Sequence, residues 1–463
     1  MKILLWHGYL LSGSGSNVFT ANLARRWRAQ GHDVLLMCQE RKAGDLDFVD
    51  EAGDMGADDQ SFTAVTTGAP SARGRVTVLR PEIGTILPVY VYDEYEGFIA
   101  KRFVDLNDEE LTHYVDANVR ALAAALRLFA PDAVIVGHEV MGPEIARRAC
   151  GATGVPYTVL LHGSALEYAV KEQERYRSFA ASGLGAAAAV VGGSRYMVEE
   201  AARVVPGWLD HAAVVNPGCD VELFRPVPRA LDRDPVAGFV GKLIASKGVH
   251  NFLAALGATR TPSLTAVVVG YGGYERELHA LRDALATGDR RAAIAATDGA
   301  VEDLRRFLDA APETFFERAA SVPVHFTGRL EHGPLSALLP TFDVLVVPSV
   351  LAEAFGMVAA EAAACGVLPI VPRHSGIGEA GAAVEEALGA PGLLTFDPED
   401  PVRGIAAAVD RVLSIPAEER VAMGRTAMRL AHERWSWDGV AARILDVARG
   451  GTHDSVAPVL SDG

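Results

Sequence analysis

A chain of 463 residues is longer than one hydrophobic core usually organises, so two domains are expected. Its composition, 49% apolar and 22% charged, is that of an ordinary globular protein, and a formal charge of -16 argues against a nucleic-acid partner, which needs clustered Lys and Arg. The cysteines at 38, 150, 219 and 365 lack CxxC spacing and fit free thiols in a reducing compartment, so the expected location is cytoplasmic.

The N-terminal MKILLWHGYLLSGSGS has the lysine and apolar run of a signal peptide, but His7 interrupts the run and a periodic helix follows the Gly/Ser loop. It reads as a buried strand at 3–6, a loop at 10–16 and a helix over 17–30 closing at Gly31, before a second strand at 33–38. Backbone N–H groups in such a loop can surround a phosphate, although glycines stand only at 13 and 15, without the third of a dinucleotide fingerprint. Residues 41–75, polar, acidic and Gly-rich, read as an excursion. Strand 76–79 follows, then a loop whose Tyr90, Tyr92, Tyr95 and Phe98 either pack locally or meet an acceptor.

Helix 108–129 ends before Pro131, strand 133–136 has His138-Glu139 just beyond it, and strand 157–161 delivers His162-Gly163-Ser164. Polar residues directly after parallel strands are where open sheets bind ligands. Strand 186–191 and the turn Asn216-Pro217-Gly218 complete this half, and three prolines within 225–236 mark the interdomain linker.

A second series begins at strand 237–240, with Gly241-Lys242 and Lys247-Gly248 before a helix to about 256, then strand 264–269 with Gly270 at its end. The helical segment 278–320 is longer than a crossover needs and suggests an added subdomain. Strand 325–328 leads to Arg329-Leu330, helix 334–339, and strands at 344–347 and 369–371. Helices from 402 and 418, an amphipathic helix at 439–449 and a disordered tail at 450–463 close the chain. The fold class expected is α/β, with two doubly wound, Rossmann-like parallel-sheet domains at 1–230 and 231–430 facing across a cleft. No uncharged apolar stretch reaches the length of a bilayer span.

The stretch 348–378 concentrates chemistry. Glu353 and Glu361 are too far apart to be neighbours on one helix, so Glu353 belongs in the loop after the strand and Glu361 inside the following helix. Between them Phe355-Gly356 makes a turn. Gly356 permits close backbone approach, and the free N–H groups of Met357 and Val358 favour an anion. A phosphate-bearing ligand with hydroxyls suits this arrangement. A plain strand-loop-helix unit with solvated glutamates would look the same locally.

Taken in order, the Gly/Ser loop, His162-Gly163, Asn216-Pro217-Gly218 with Asp220 and Phe224, Gly241-Lys242 with Lys247-Gly248, Gly270, Phe326-Thr327-Gly328 and Pro348-Ser349 with Glu353 to Glu361 resemble the retaining GT-B glycosyltransferases of family 4, the glycosyl transferases group 1. The resemblance covers most of the chain. It implies transfer of a hexosyl group from a nucleoside diphosphate sugar with retention, with no cofactor and no bound metal, the donor lying mainly on the C-terminal domain and the acceptor on the N-terminal one. Glu361 then matches the carboxylate that holds the ribose hydroxyls and Glu353 the one beside the donor sugar. Lys242 and Lys247 match the cations on the diphosphate, and His162 meets either the donor sugar or the acceptor hydroxyl. Further donor contacts are implied for Gly13, Ser14, Gly15, Gly270, Arg329, Leu330 and the segment Phe355, Gly356, Met357 and Val358. The last helix is implied to pack back on the first domain. Lys242 stands where Arg is frequent, keeping the charge without the bidentate fork. Ala354 stands where Gly often follows the glutamate, and Gly13-Ser14-Gly15 where a Gly-Gly pair is common.

A sugar-nucleotide epimerase or phosphorylase on the same fold, and a non-catalytic nucleotide-sugar binder, are the competing readings. The acceptor is a sugar, a small molecule or a lipid. Arg25, Arg26, Trp27 and Arg28 on the first helix either form a solvated face or touch an anionic membrane peripherally, at its inner face.

Overall fold

The computed structural model describes residues 1–56, 62–67, 73–92, 95–297 and 301–451. The chain divides into two compact units, Met1–Pro217 together with the chain from Trp437, and Gly218–Ser436.

In the first unit the described residues form a sheet of β1 (Lys2–Trp6), β2 (Asp33–Met37), β3 (Glu51–Met55), β4 (Phe62–Thr66) and β5 (Arg75–Arg80). After a short ladder of β6 (Ile86–Val89) and β7 (Ile99–Arg102), the sheet continues with β8 (Ala133–Gly137), β9 (Thr158–Leu160), β10 (Ala189–Gly192) and β11 (Ala212–Val214). The spatial order is β11-β10-β9-β8-β1-β2-β5-β3-β4, and within it β3 and β4 alone pair antiparallel. The chain runs outward from β1 to β2 and returns on the other side through β8, so the ends of β1 and β8 border the topological switch point. Both are continuous apolar runs, as strands covered on two faces must be.

Helix Gly15–Ala29 starts two residues earlier than expected because the Ser14 side chain caps it, accepting from Asn17 N at 3.4 Å. Residues 41–75 are not an excursion, since β3 and β4 extend the sheet there. Their sequences, EAGDM and FTAVT, carry no long apolar run, β4 being the edge strand and β3 its inner neighbour. Gly53 is required there, since a Cβ would fall 1.9 Å from the Thr63 carbonyl oxygen. The rest of that stretch, 57–61 and 68–72, lies outside the described residues, as does the expected tail beyond 451.

Helix Trp437–Ala448 lies on helix Gly15–Ala29: Trp27 is fully buried and donates from Nε1 to Ala441 O at 3.0 Å, and Phe19 meets Trp437 edge-on. Arg25, Arg26 and Arg28 pair with Asp47, Asp438 and Asp50 at 2.6, 3.7 and 2.7 Å. The patch weighed as a membrane contact thus has its indole in the core and its arginines paired with aspartates. Among the described residues no helix is long and apolar enough to cross a membrane.

The second unit carries β12 (Val236–Val240), β13 (Thr265–Val269), β14 (Val324–Gly328), β15 (Val344–Val346), β16 (Leu368–Pro372) and β17 (Thr395–Phe396), all parallel, in the order β14-β13-β12-β15-β16-β17. Its switch point falls between β12 and β15. The helical addition consists of helices Glu275–Ala286, Arg290–Ala295, Glu302–Ala310 and Glu313–Ala320 between β13 and β14, with 298–300 outside the described residues. Residues 225–236, expected as a linker, lie inside this unit. There Arg233 pairs with Asp343 at 2.8 Å and Arg229 donates to the Phe342 carbonyl. The four cysteines are free and buried.

Candidate active site

In the second unit β12 runs into Gly241-Lys242, β13 into Gly270, β14 into Arg329-Leu330 and β15 into Pro348-Ser349, so these loops follow one another along the carboxyl edge of adjacent strands. The backbones close tightly. A Cβ on Gly270 would lie 1.9 Å from Gly241 O, and one on Gly248 1.9 Å from Pro348 O, so glycine is what lets the lysine loop meet its neighbours.

Lys247 Nζ reaches Glu353 Oε1 at 2.8 Å, and the Ser349 hydroxyl donates to the same oxygen. Among the described residues Glu353 Oε2 makes no hydrogen bond, and Lys242 is exposed and forms no ion pair. Helix Met357–Ala364 starts at Gly356, whose φ of +92° and contact with Ile377 exclude a side chain, and the N–H groups of Met357 and Val358 stand at its head. Glu361 lies one turn further on, half-buried near Cys219 and Cys365, and burial pushes its carboxyl up to about 8.

Three of the implied donor contacts are already engaged or covered within the fold. The Phe355 side chain is buried against Trp435, with ring centroids 5.6 Å apart, which leaves its backbone to face a ligand. Arg329 pairs with Glu331 at 2.9 Å and lies 5.0 Å over the Tyr271 ring, and Leu330 is half-buried beside it.

In the first unit Gly13, Ser14 and Gly15 are exposed at the head of their helix, Gly13 in the left-handed region. The same sheet edge carries a histidine cluster of which only His162 was expected to act on a ligand. His7 follows β1, His138 follows β8 and His162 follows β9, and a ring nitrogen from each lies within 4.8 Å of the others. Asn17 donates its amide to Ser12 O at 2.6 Å, so its oxygen faces His7 Nε2 at 2.9 Å. His7 therefore holds its proton on Nε2 and presents Nδ1 to the Thr20 hydroxyl at 3.1 Å.

Glu139 Oε1 accepts from the backbone N–H groups of His162 and Gly163 at 3.1 and 2.7 Å and so holds the turn that carries His162. His138 is buried at a φ of +71°, and among the described residues neither of its ring nitrogens, nor His162 Nε2, nor Glu139 Oε2 has a hydrogen-bond partner. Burial pushes His7 down to about 4 and His162 to about 3, the nearby His7 adding to the latter, and holds His138 well below its ordinary value. Burial likewise raises Glu139 against its backbone donors. Three neutral imidazoles can exchange hydrogen bonds with a hydroxyl but supply no positive charge for an anion. Tyr9 and Tyr90 wall the cluster, 5.3 and 4.9 Å from the His138 ring, whereas Tyr92 points outward, 61% exposed.

His138 and Glu139 were noted just past a strand end but not carried into the expected site, and His7 was read only as interrupting an apolar run. Their signal was position alone, one or two residues past a strand end.

Residues 14–218 match the family model of a glycosyl transferase 4-like domain, and residues 317–429 that of the glycosyl transferases group 1. A glycogen synthase of Mycobacterium tuberculosis is 31% identical over 211 residues, 45% of this chain and 41% of that protein. A D-inositol 3-phosphate glycosyltransferase of Mycobacterium bovis is 29% identical over 276 residues, 55% of this chain and 49% of that one. The chain thus spans less than half the length of these curated relatives. The solved structure of Anabaena HepE in complex with UDP matches with a TM-score of 0.61 at 16% identity, over 97% of this chain and 100% of that one, a likeness of fold. With two parallel-sheet units and both glycosyltransferase models matched in order, the chain belongs to the group 1 glycosyltransferases, enzymes of GT-B fold.

Proposed function

We propose that the protein moves a hexosyl group from a nucleoside diphosphate sugar, of the UDP-glucose or GDP-mannose type, to an acceptor hydroxyl with retention and without a bound metal. The observation that carries this is the edge of the second unit, where Lys242, Lys247, Glu353, Glu361 and a helix N-terminus are gathered at a switch point. Glu361, whose side chain has no hydrogen-bond partner among the described residues, takes the ribose hydroxyls, and Glu353 takes a donor-sugar hydroxyl on Oε2. When the bond between the sugar carbon and the diphosphate oxygen breaks, the electron pair goes to the diphosphate. Lys242, Lys247 and the N–H groups of Met357 and Val358 then face charge that is larger in the transition state than in the ground state, which is what accelerates the step.

In the first unit the head of helix Gly15–Ala29 offers N–H groups to an anion, and the neutral His7, His138 and His162 offer ring nitrogens to a hydroxyl. That HepE, similar in fold, was solved in complex with UDP supports a uridine donor. The names of the two relatives point to different acceptors, so the acceptor is proposed only as a sugar, small-molecule or lipid hydroxyl.

Calorimetric titration of UDP and GDP, followed by mass spectrometry of products from a donor and acceptor panel, tests the reading. Binding of one nucleotide and a product heavier by one hexose are expected. An inverted anomeric configuration in that product would refute retention.

A further inference from the structure

We infer that His374, with Ser375, is a positioning residue that aims the free oxygen of Glu353 at the donor sugar. The inference rests on the proposed function of the second unit. The loop from Ser349 to Glu353 is bound at both ends by this pair: His374 Nε2 lies 3.1 Å from Ser349 O, and Glu353 N donates to Ser375 Oγ at 3.0 Å. The two side chains are joined to each other, His374 Nδ1 to Ser375 Oγ at 3.0 Å.

The chemistry fixes the direction of the chain. A carbonyl oxygen only accepts, so Nε2 carries the proton, and in the neutral ring Nδ1 is left as the acceptor of the Ser375 hydroxyl proton. That hydroxyl oxygen in turn receives the Glu353 N–H. Gly376 N adds a bond to Glu353 O at 2.9 Å. Ser375 holds its place at a φ of +51°, a left-handed conformation that a serine adopts only when its surroundings impose it.

The consequence falls on one carboxylate oxygen. Ser349 Oγ, within the clamped loop, and Lys247 Nζ, outside it, both bind Glu353 Oε1, which leaves Oε2 with no hydrogen bond among the described residues. A half-buried carboxylate whose orientation is fixed by two donors on one oxygen presents the other to a ligand hydroxyl at a set angle. His374 sets where that loop begins and ends. It acts on the donor only through Glu353.

The test separates sugar from nucleotide. Glu361, Lys242 and the N–H groups of Met357 and Val358 make no hydrogen bond with His374 among the described residues, so UDP should bind His374→Ala and the wild type within about twofold. The extra affinity of UDP-glucose over UDP should fall by about tenfold, the equivalent of one hydrogen bond to a charged group. Calorimetry with UDP and with UDP-glucose on the full chain gives both numbers, and thermal unfolding reports whether the variant folds. His374→Gln, whose amide can again donate to Ser349 O, should restore most of the lost selectivity and serves if the alanine variant does not fold.

Selectivity for UDP-glucose over UDP unchanged in a folded His374→Ala would overturn the role of His374 while leaving the donor site in place. Equal loss for UDP and UDP-glucose would make the residue merely structural and overturn the inference too. A wild type that binds neither UDP nor UDP-glucose would instead refute the uridine donor reading on which the inference rests.

Discussion

Titrating nucleotide against pH isolates Glu361. Its carboxyl, enclosed beside Cys219 and Cys365, is pushed up to about 8 by burial, whereas the ribose hydroxyls it is proposed to meet are bound best by the ionised form. At pH 7 about one molecule in ten carries that charge, and at pH 8.5 about three in four, so the affinity for UDP should rise by about eightfold over that interval, or about 1.2 kcal/mol. The phosphates are essentially ionised across this range, with a second pKa of about 6. Glu361→Gln, neutral throughout, should bind UDP more weakly at pH 8.5 and show no rise.

The empty protein should respond in the opposite sense. A folded pKa above the unfolded one stabilises fully below the unfolded value, and the contribution is lost as pH climbs through about 8. The shift from 4.5 to about 8 would correspond to about 5 kcal/mol at full strength, reduced to about 2 kcal/mol because the side chain keeps some contact with solvent. Urea unfolding at pH 5 and pH 8.5 should therefore show Glu361→Gln gaining on the wild type at the higher pH. A wild-type UDP affinity that stays flat between pH 7 and 8.5, or an identical rise in Glu361→Gln, would refute the assignment.

Other substitutions probe the loops and the turn. Lys242→Ala and Lys247→Ala should each lower turnover by about 10²-fold, as losing an oxyanion donor does, measured as product formed under saturating donor. Near-normal turnover by either removes that lysine from the leaving-group role, and complete loss with EDTA restored by Mg2+ would count against the metal-free mechanism. Gly248→Ala, which would set a Cβ 1.9 Å from Pro348 O, should destabilise by at least about 3 kcal/mol in urea unfolding. Gly13→Ala, with nothing within 4 Å, should cost about 1 kcal/mol for its left-handed backbone alone. Glu139→Ala strands the N–H groups of His162 and Gly163 and should cost about 2 kcal/mol or more, while Glu139→Gln, which keeps an acceptor oxygen, should lose about half as much.

The alternation of apolar runs with helical periods was enough to place β1, β8, β12 and β15 and the loops that follow them, because a central parallel strand must be apolar on both faces whatever lies beside it. The strand-loop-helix order likewise placed Glu353 in a loop and Glu361 on a helix, since both follow from local chain geometry. The outermost strands β3 and β4 left no such trace: short, with β4 largely exposed at the edge and β3 beside it holding Gly53 for a close approach, they look like a polar loop until a partner strand is beside them. The meeting of His7, His138 and His162 depends on β1, β8 and β9 being neighbours in the sheet though far apart in the chain, and the hold of Glu139 on the turn of His162 depends on the same crossing. Sheet order also decided that His374 reaches back to Ser349, and enclosure within the fold, which no spacing of residues encodes, set the proton affinity of Glu361.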